Sequence, residues 1–136
     1  MENPRYAGYE VAPVPGKRLH RVISVRFLTG QTYRLTIECG GFSFRAGQCA
    51  NIGVAGSGLN REYSTYSSER DARLSFLIRR VEGGVVSVQL GNLRPGDCVE
   101  LDGAYGQFCL ASPDDGRRYV FVASGTGIAP FHSFVT

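Results

Sequence analysis

Lysine is nearly absent from this sequence: of 15 basic residues only Lys17 is not an arginine. No run of basic residues is longer than two, which argues against the basic stripe of a nucleic-acid-binding chain. The four cysteines, Cys39, Cys49, Cys98 and Cys109, are spaced too widely for a C-x-x-C metal or redox pair, and no histidine is near them in sequence. Long apolar runs are missing too. The first thirty residues carry Pro4, Pro13, Pro15 and scattered charges in place of a signal-peptide core, and nothing approaches the roughly 20 apolar residues of a membrane span. These absences predict a cytoplasmic protein with free thiols, no metal centre, and neither nucleic acid nor membrane as partner. His20 and His132 have no carboxylate or cysteine in a sequence relation that suggests a triad or metal site, and are expected to be structural. The arginine excess favours bidentate contacts to phosphate or carboxylate, although coding bias explains it equally well.

What the chain has in plenty is glycine. Eighteen glycines in 136 residues are about twice the usual share, and they punctuate short apolar segments as in an all-β domain. A chain of this length supports one core. Strands are predicted over Arg18 to Leu28, Gln31 to Glu38, Gln48 to Val54, Asn60 to Ser67, Ala72 to Val81, Asp97 to Leu101 and Tyr119 to Ala123. Period-2 alternation nominates three inward-facing sets: Ile23, Val25 and Phe27; Tyr33, Leu35 and Ile37; Leu74, Phe76 and Ile78. Between Gly84 and Leu93 the spacing of Val86, Leu90 and Leu93 predicts a helical turn, against the propensity of its valines.

One predicted strand is unusual. Arg61-Glu-Tyr-Ser-Thr-Tyr-Ser-Ser-Glu69 carries almost no aliphatic group: Arg61, Tyr63, Thr65 and Ser67 share one face, Glu62, Ser64 and Tyr66 the other. Neither resembles a core face. It reads either as a solvated edge strand or as a surface for a planar, hydrogen-bonding, phosphate-bearing ligand.

Five motifs in order, Phe44-Arg-Ala-Gly-Gln48, Arg61-Glu-Tyr-Ser64 with Ser67, Gly84-Val-Val-Ser87, Gly103-Ala-Tyr-Gly-Gln-Phe108 and Gly125-Thr-Gly-Ile-Ala-Pro130, resemble the ferredoxin–NADP reductase superfamily of flavoproteins. The resemblance implies an all-β fold: a six-stranded antiparallel Greek-key barrel holding FAD, with one short helix, then a C-terminal strand–turn stub of an α/β nucleotide-binding domain. It implies an N-terminal arm over 1–16, the FAD-binding barrel over 17–115, and over 116–136 the truncated start of an NAD(P)H-binding domain.

By that resemblance Arg61 would pair with the flavin pyrophosphate, Tyr63 would stack on the isoalloxazine, and Ser64 would offer its hydroxyl near flavin N5 as the catalytic residue. Gly84, Val85, Val86 and Ser87 would bind the pyrophosphate with backbone N–H groups and a hydroxyl, an ordinary helix start being the alternative. That site and Ser67 favour FAD over FMN. Ile78 and Arg79 would run beside the ring, mostly through backbone groups, although Arg79 and Arg80 also read as a solvated pair. Ala46 departs from the proline common in its turn, and Tyr105 stands where a proline or small residue is frequent. Gly125, Thr126 and Gly127 would face the nicotinamide side of the flavin.

The implied function is electron movement between NAD(P)H and ferredoxin, flavodoxin or a similar one-electron carrier, by way of flavin N5. The alternative is a non-catalytic electron-relay module, or a reductase component working only with another chain. Because further strands of a parallel sheet do not follow Tyr119 to Ala123, Val120, Phe121 and Val122 are expected to lack partners. This predicts self-association through that segment or its disorder, and no NAD(P)H-driven turnover by the 136 residues alone.

Overall fold

The computed structural model describes residues 17–112 and 115–136. The expected arm over 1–16 lies outside the described residues. Six antiparallel strands, β1 (Arg18–Phe27), β2 (Thr32–Glu38), β3 (Cys49–Val54), β4 (Arg61–Ser64), β5 (Arg73–Arg79) and β6 (Cys98–Tyr105), run in the order β4-β3-β6-β1-β2-β5. The two ends of that order meet through a bridge between Thr65 and Phe76 and a 2.8 Å bond from the Tyr66 N–H to the Ser75 carbonyl. The result is the expected Greek-key barrel.

Alternation explains the core of β2 and β5. Tyr33 lies opposite Ile78, Leu35 opposite Phe76 and Ile37 opposite Leu74, and all six side chains are fully buried. Burial of each is worth roughly 1.5–3 kcal/mol. Strand β1 keeps Val25 and Phe27 of its predicted inward set, while Ile23 falls at an irregularity. A register shift between Val22 and Ser24 marks the place where it changes partner, from β6 over Arg18 to Arg21 to β2 beyond Val22. An irregularity of this kind turns side chains to the other face. His20 and Val22 therefore point inward before it, and Val25 and Phe27, opposite the buried Leu35 and Tyr33, share the inward side after it. Phe27 lies at the end of the strand, 43% exposed, its ring 5.1 Å from that of Tyr33.

Strand β4 is shorter than its predicted span and β6 longer. Beyond Ser64 the chain no longer follows β3, and the face read as uniformly polar turns into the barrel, where Thr65 and Ser67 are buried. Thr65 is compatible with the interior because its N–H and hydroxyl both donate to the Gln48 carbonyl at 3.0 Å. Helix α1 (Val86–Gly91) forms within the predicted stretch, with Val86, Leu90 and Leu93 buried against the barrel. Packing of that face outweighs the weak propensity of its valines.

The stretch Tyr119 to Ala123 is not a strand: it has no sheet partner among the described residues. Val120 and Val122 point outward, 88% and 85% exposed. Phe121 differs from expectation, because its ring stacks on Phe131 at 4.7 Å and 18°. After a 3-10 turn (Gly125–Ile128), helix α2 (Ala129–Val135) starts with Pro130 in its first turn, where a missing N–H costs nothing. Phe131 and Phe134 join Phe108 and Phe121 in an aromatic cluster that seats α2 on the barrel.

The turn Phe44 to Gln48 is the point of closest approach. Gly47 has φ +93°, and a Cβ there would lie 1.7 Å from the Phe108 carbonyl oxygen and 2.8 Å from Phe134 Cε1. The neighbouring Ala46 has a partner that proline could not have: its N–H donates to the Glu69 carboxylate, which holds the turn in place of ring rigidity.

Candidate functional site at strand β4

Strand β4 ends the sheet order. Its Arg61, Tyr63 and Ser64 lie opposite Ile52, Ala50 and Cys49 of β3, and no strand among the described residues pairs with its other edge over Arg61 to Ser64. The free edge is open to a ligand other than a strand. The Arg61 guanidinium is exposed, donates to the Asn60 carbonyl at 2.8 Å, and has no carboxylate partner among the described residues. Tyr63 is half-buried, with its ring against the hydrophobic core. Burial pushes its phenol above the ordinary tyrosine range, and nearby Arg61 partly offsets this.

Tyr33 of β2 reaches α1. Its fully buried phenol donates to the Ser87 carbonyl, and burial, then the proximity of Tyr63, raise it far above the ordinary value. The Tyr33 side chain thus holds the first turn of α1 from the core. Gly91, on the same helix, approaches so closely that a Cβ would sit 3.0 Å from Tyr33 Cε1. Ionisation of Tyr33 has a calculable consequence. The unfolded phenol titrates near 10 and the folded one higher, so this contribution is complete below pH 10 and lost as pH rises beyond it. Urea unfolding between pH 9 and 11 is expected to show stability falling by up to about 1.4 kcal/mol per pH unit from this group, and Tyr33→Phe to flatten the fall.

The first turn of α1 is a partial match to the sequence expectation. The Gly84 N–H is committed to the Val81 carbonyl at 2.9 Å, which removes it from the donor set. A Cβ at Gly84 would lie 3.0 Å from that carbonyl and 3.1 Å from Ser87 Oγ, so the residue serves the tightness of the turn. Ser87 Oγ accepts the Val81 N–H at 3.1 Å and keeps its own proton to donate. The first bond to a helical N–H runs from Gln89 to the Val85 carbonyl, so the N–H groups of Val85, Val86 and Ser87 precede it.

The remaining expected site residues are placed as follows. Ser67 is buried, its Oγ accepts the Ser75 N–H at 3.0 Å, and its carbonyl accepts from Ser133 at 2.7 Å: it belongs to the frame behind the strand, not to an open surface. Ile78 is fully buried with its side chain in the core, and Arg79 is exposed opposite Thr32. Gly125, Thr126 and Gly127 form the 3-10 turn, which packs against β5. Tyr33 was read from sequence only as a core residue. Its hydroxyl was the available signal, since a buried phenol needs a partner.

Residues 22–109 match the oxidoreductase FAD-binding domain family. The chain belongs to that family. It is 37% identical over 129 residues to the toluate 1,2-dioxygenase electron transfer component of Pseudomonas putida, covering 92% of this chain and 35% of that protein. With ferredoxin–NADP reductase B of Sorangium cellulosum (strain So ce56) it shares 33% identity, over 85% of this chain and 49% of the relative. Among solved structures, a ferredoxin–NADP+ reductase from Neisseria gonorrhoeae with bound FAD and NADP superimposes with TM-score 0.77 at 28% identity, covering 88% of this chain and 50% of that one. The chain thus spans about a third to a half of the length of these relatives.

The cofactor of this FAD-binding domain is FAD, and the donor set at β4 fits it chemically. A dinucleotide carries a planar ring system and a dianionic pyrophosphate. Tyr63 offers a ring, Arg61 an exposed guanidinium, and Val85 to Ser87 N–H groups at a helix start. When bound, FAD supplies two-electron and one-electron transfer at its isoalloxazine.

Proposed function

We propose that this FAD-binding domain is the flavin module of a reductase that moves electrons between NAD(P)H and a one-electron carrier such as a ferredoxin or flavodoxin. Arg61 and the N–H groups of Val85, Val86 and Ser87 hold the pyrophosphate, Tyr63 stacks on the flavin ring, and the Ser64 hydroxyl serves flavin N5. Residues 17–115 are the flavin domain, and 116–136 begin the unit that binds NAD(P)H, with Gly125, Thr126 and Gly127 toward the nicotinamide. The single observation that supports this reading is the free edge of β4, which carries the exposed Arg61 guanidinium beside the half-buried Tyr63 ring in a chain of the FAD-binding family. The four free, partly buried thiols support a reducing, cytoplasmic setting.

A second acceptor is favoured by a specific observation. The likeness to the toluate dioxygenase component covers nearly the whole chain, which supports an oxygenase partner as the electron sink. Exposed Val120 and Val122 support self-association as a further property of these 136 residues.

The test is anaerobic. FAD-loaded protein, reduced chemically, is mixed with oxidised ferredoxin, flavodoxin or an oxygenase component, and the acceptor's spectrum is followed. Reduction of a ferredoxin or flavodoxin in one-electron steps is expected. Full flavin loading with no transfer to any of them would defeat the proposal, and transfer only to the oxygenase component would select the second reading.

A further inference from the structure

Strand β4 has only four residues, and its continuation is held from two sides. On one side the Thr65 N–H donates to the Gln48 carbonyl, and the Tyr66 N–H to the Ser75 carbonyl. On the other side the carbonyls of Tyr66 and Ser67 are both taken by side chains of α2, from His132 Nδ1 and Ser133 Oγ, each at 2.7 Å. The imidazole also lies flat on the Tyr66 ring, 3.8 Å away and 9° from parallel. Ser133 and Ser67 are 3% and 4% exposed, so water does not compete for the second of these bonds. Helix α2 is in turn seated by Phe131 and Phe134 and opens directly from the Gly125–Ile128 turn.

We infer that His132 and Ser133 are positioning residues for the flavin ring: they fix the main chain two and three residues beyond Ser64, and so set where Tyr63 and Ser64 stand. This rests on the reading of β4 as the flavin strand. A displacement of the Gly125–Ile128 turn would move α2 and reach the ring site through these two carbonyls, with no ligand contact from His132 or Ser133 themselves.

Riboflavin and FAD are titrated into the full 136-residue chain, with melting temperatures recorded without flavin. Riboflavin has the ring but no phosphate, so its affinity reads the ring site. The ratio of FAD to riboflavin affinity reads the phosphate contacts. Ser133→Ala and His132→Phe, which keeps a ring but removes the donor, are each expected to weaken riboflavin about five-fold, or ~1 kcal/mol, with the ratio unchanged within about two-fold. Ser133→Thr and His132→Asn, which restore a donor, are expected to recover most of that loss. A lowered melting temperature with unchanged riboflavin affinity would reduce the contacts to helix docking and overturn the inference, as would a loss that neither donor-restoring variant recovers. If Ser133→Ala fails to fold, the two His132 variants decide by the same comparison. Tyr63→Ala separates the levels. Unchanged riboflavin affinity there would overturn the flavin-strand reading and this inference with it, whereas a loss seen in Tyr63→Ala but not in the α2 variants overturns the inference alone.

Discussion

Arg61→Ala is expected to weaken FAD by roughly 10- to 150-fold and riboflavin by less than about two-fold. The guanidinium is exposed and has no carboxylate partner among the described residues, so little internal structure is lost with it. A charge-assisted contact to phosphate contributes about 1.5–3 kcal/mol, and a factor of ten is ~1.4 kcal/mol. Riboflavin has no phosphate, and FMN lacks the complete pyrophosphate. The expected order of losses is therefore FAD, then FMN, then riboflavin. Equal losses across the three in parallel titrations would remove Arg61 from the phosphate site.

Gly47→Ala is expected to act on the fold itself. At φ +93° an L-residue carries backbone strain of about 1–3 kcal/mol. Its Cβ would also meet the Phe108 carbonyl at 1.7 Å, a contact that only a main-chain shift can relieve. Overpacking of this kind costs about a further 1–3 kcal/mol. The shift would fall on the loop bearing Phe108 and, through the 2.8 Å approach to Phe134, on α2. Chemical denaturation should show a loss of roughly 2–6 kcal/mol, which is a large part of the stability of a domain this size. Gly30→Ala is the control: nothing lies within 4 Å of its would-be Cβ, and its φ is not positive. A similar small effect at both positions would contradict the close packing at Gly47.

How much of this was legible in the sequence depended on whether the cause was local. The buried sets of β2 and β5 were readable because each strand is regular and its period of two survives from end to end. Strand β1 contains the same signal, and Val25 and Phe27 follow it opposite Leu35 and Tyr33, but the register shift between Val22 and Ser24 puts Val22 on the core face in place of Ile23, and nothing in the sequence announces this. The apolar run Val120, Phe121 and Val122 reads as a buried strand. What decided its conformation was Phe121 meeting Phe131 and the lack of any pairing strand among the described residues. The contacts that organise the site are remote in sequence: Tyr33 to Ser87 spans 54 residues, and His132 to Tyr66 spans 66. Periodicity carries no information over such distances. The site residues themselves came from the order of five motifs, a resemblance that named Arg61, Tyr63 and Ser64 but gave no sign that Ser67 is buried or that the Gly84 N–H is bonded to the Val81 carbonyl.

Titration of FAD against wild-type protein and Tyr63→Ala, followed by flavin fluorescence, tests most directly the proposal that Tyr63 forms the floor of the flavin site. A phenol ring against the isoalloxazine should quench emission on binding and contribute about 0.5–1.5 kcal/mol beyond its area. The wild-type chain is expected to bind one FAD with strong quenching. Tyr63→Ala should retain the phosphate contacts, bind FAD several-fold more weakly, and leave the bound flavin brighter. Saturable binding with the same affinity and the same quenching in both proteins would contradict the account, since the ring would then lie somewhere other than on β4.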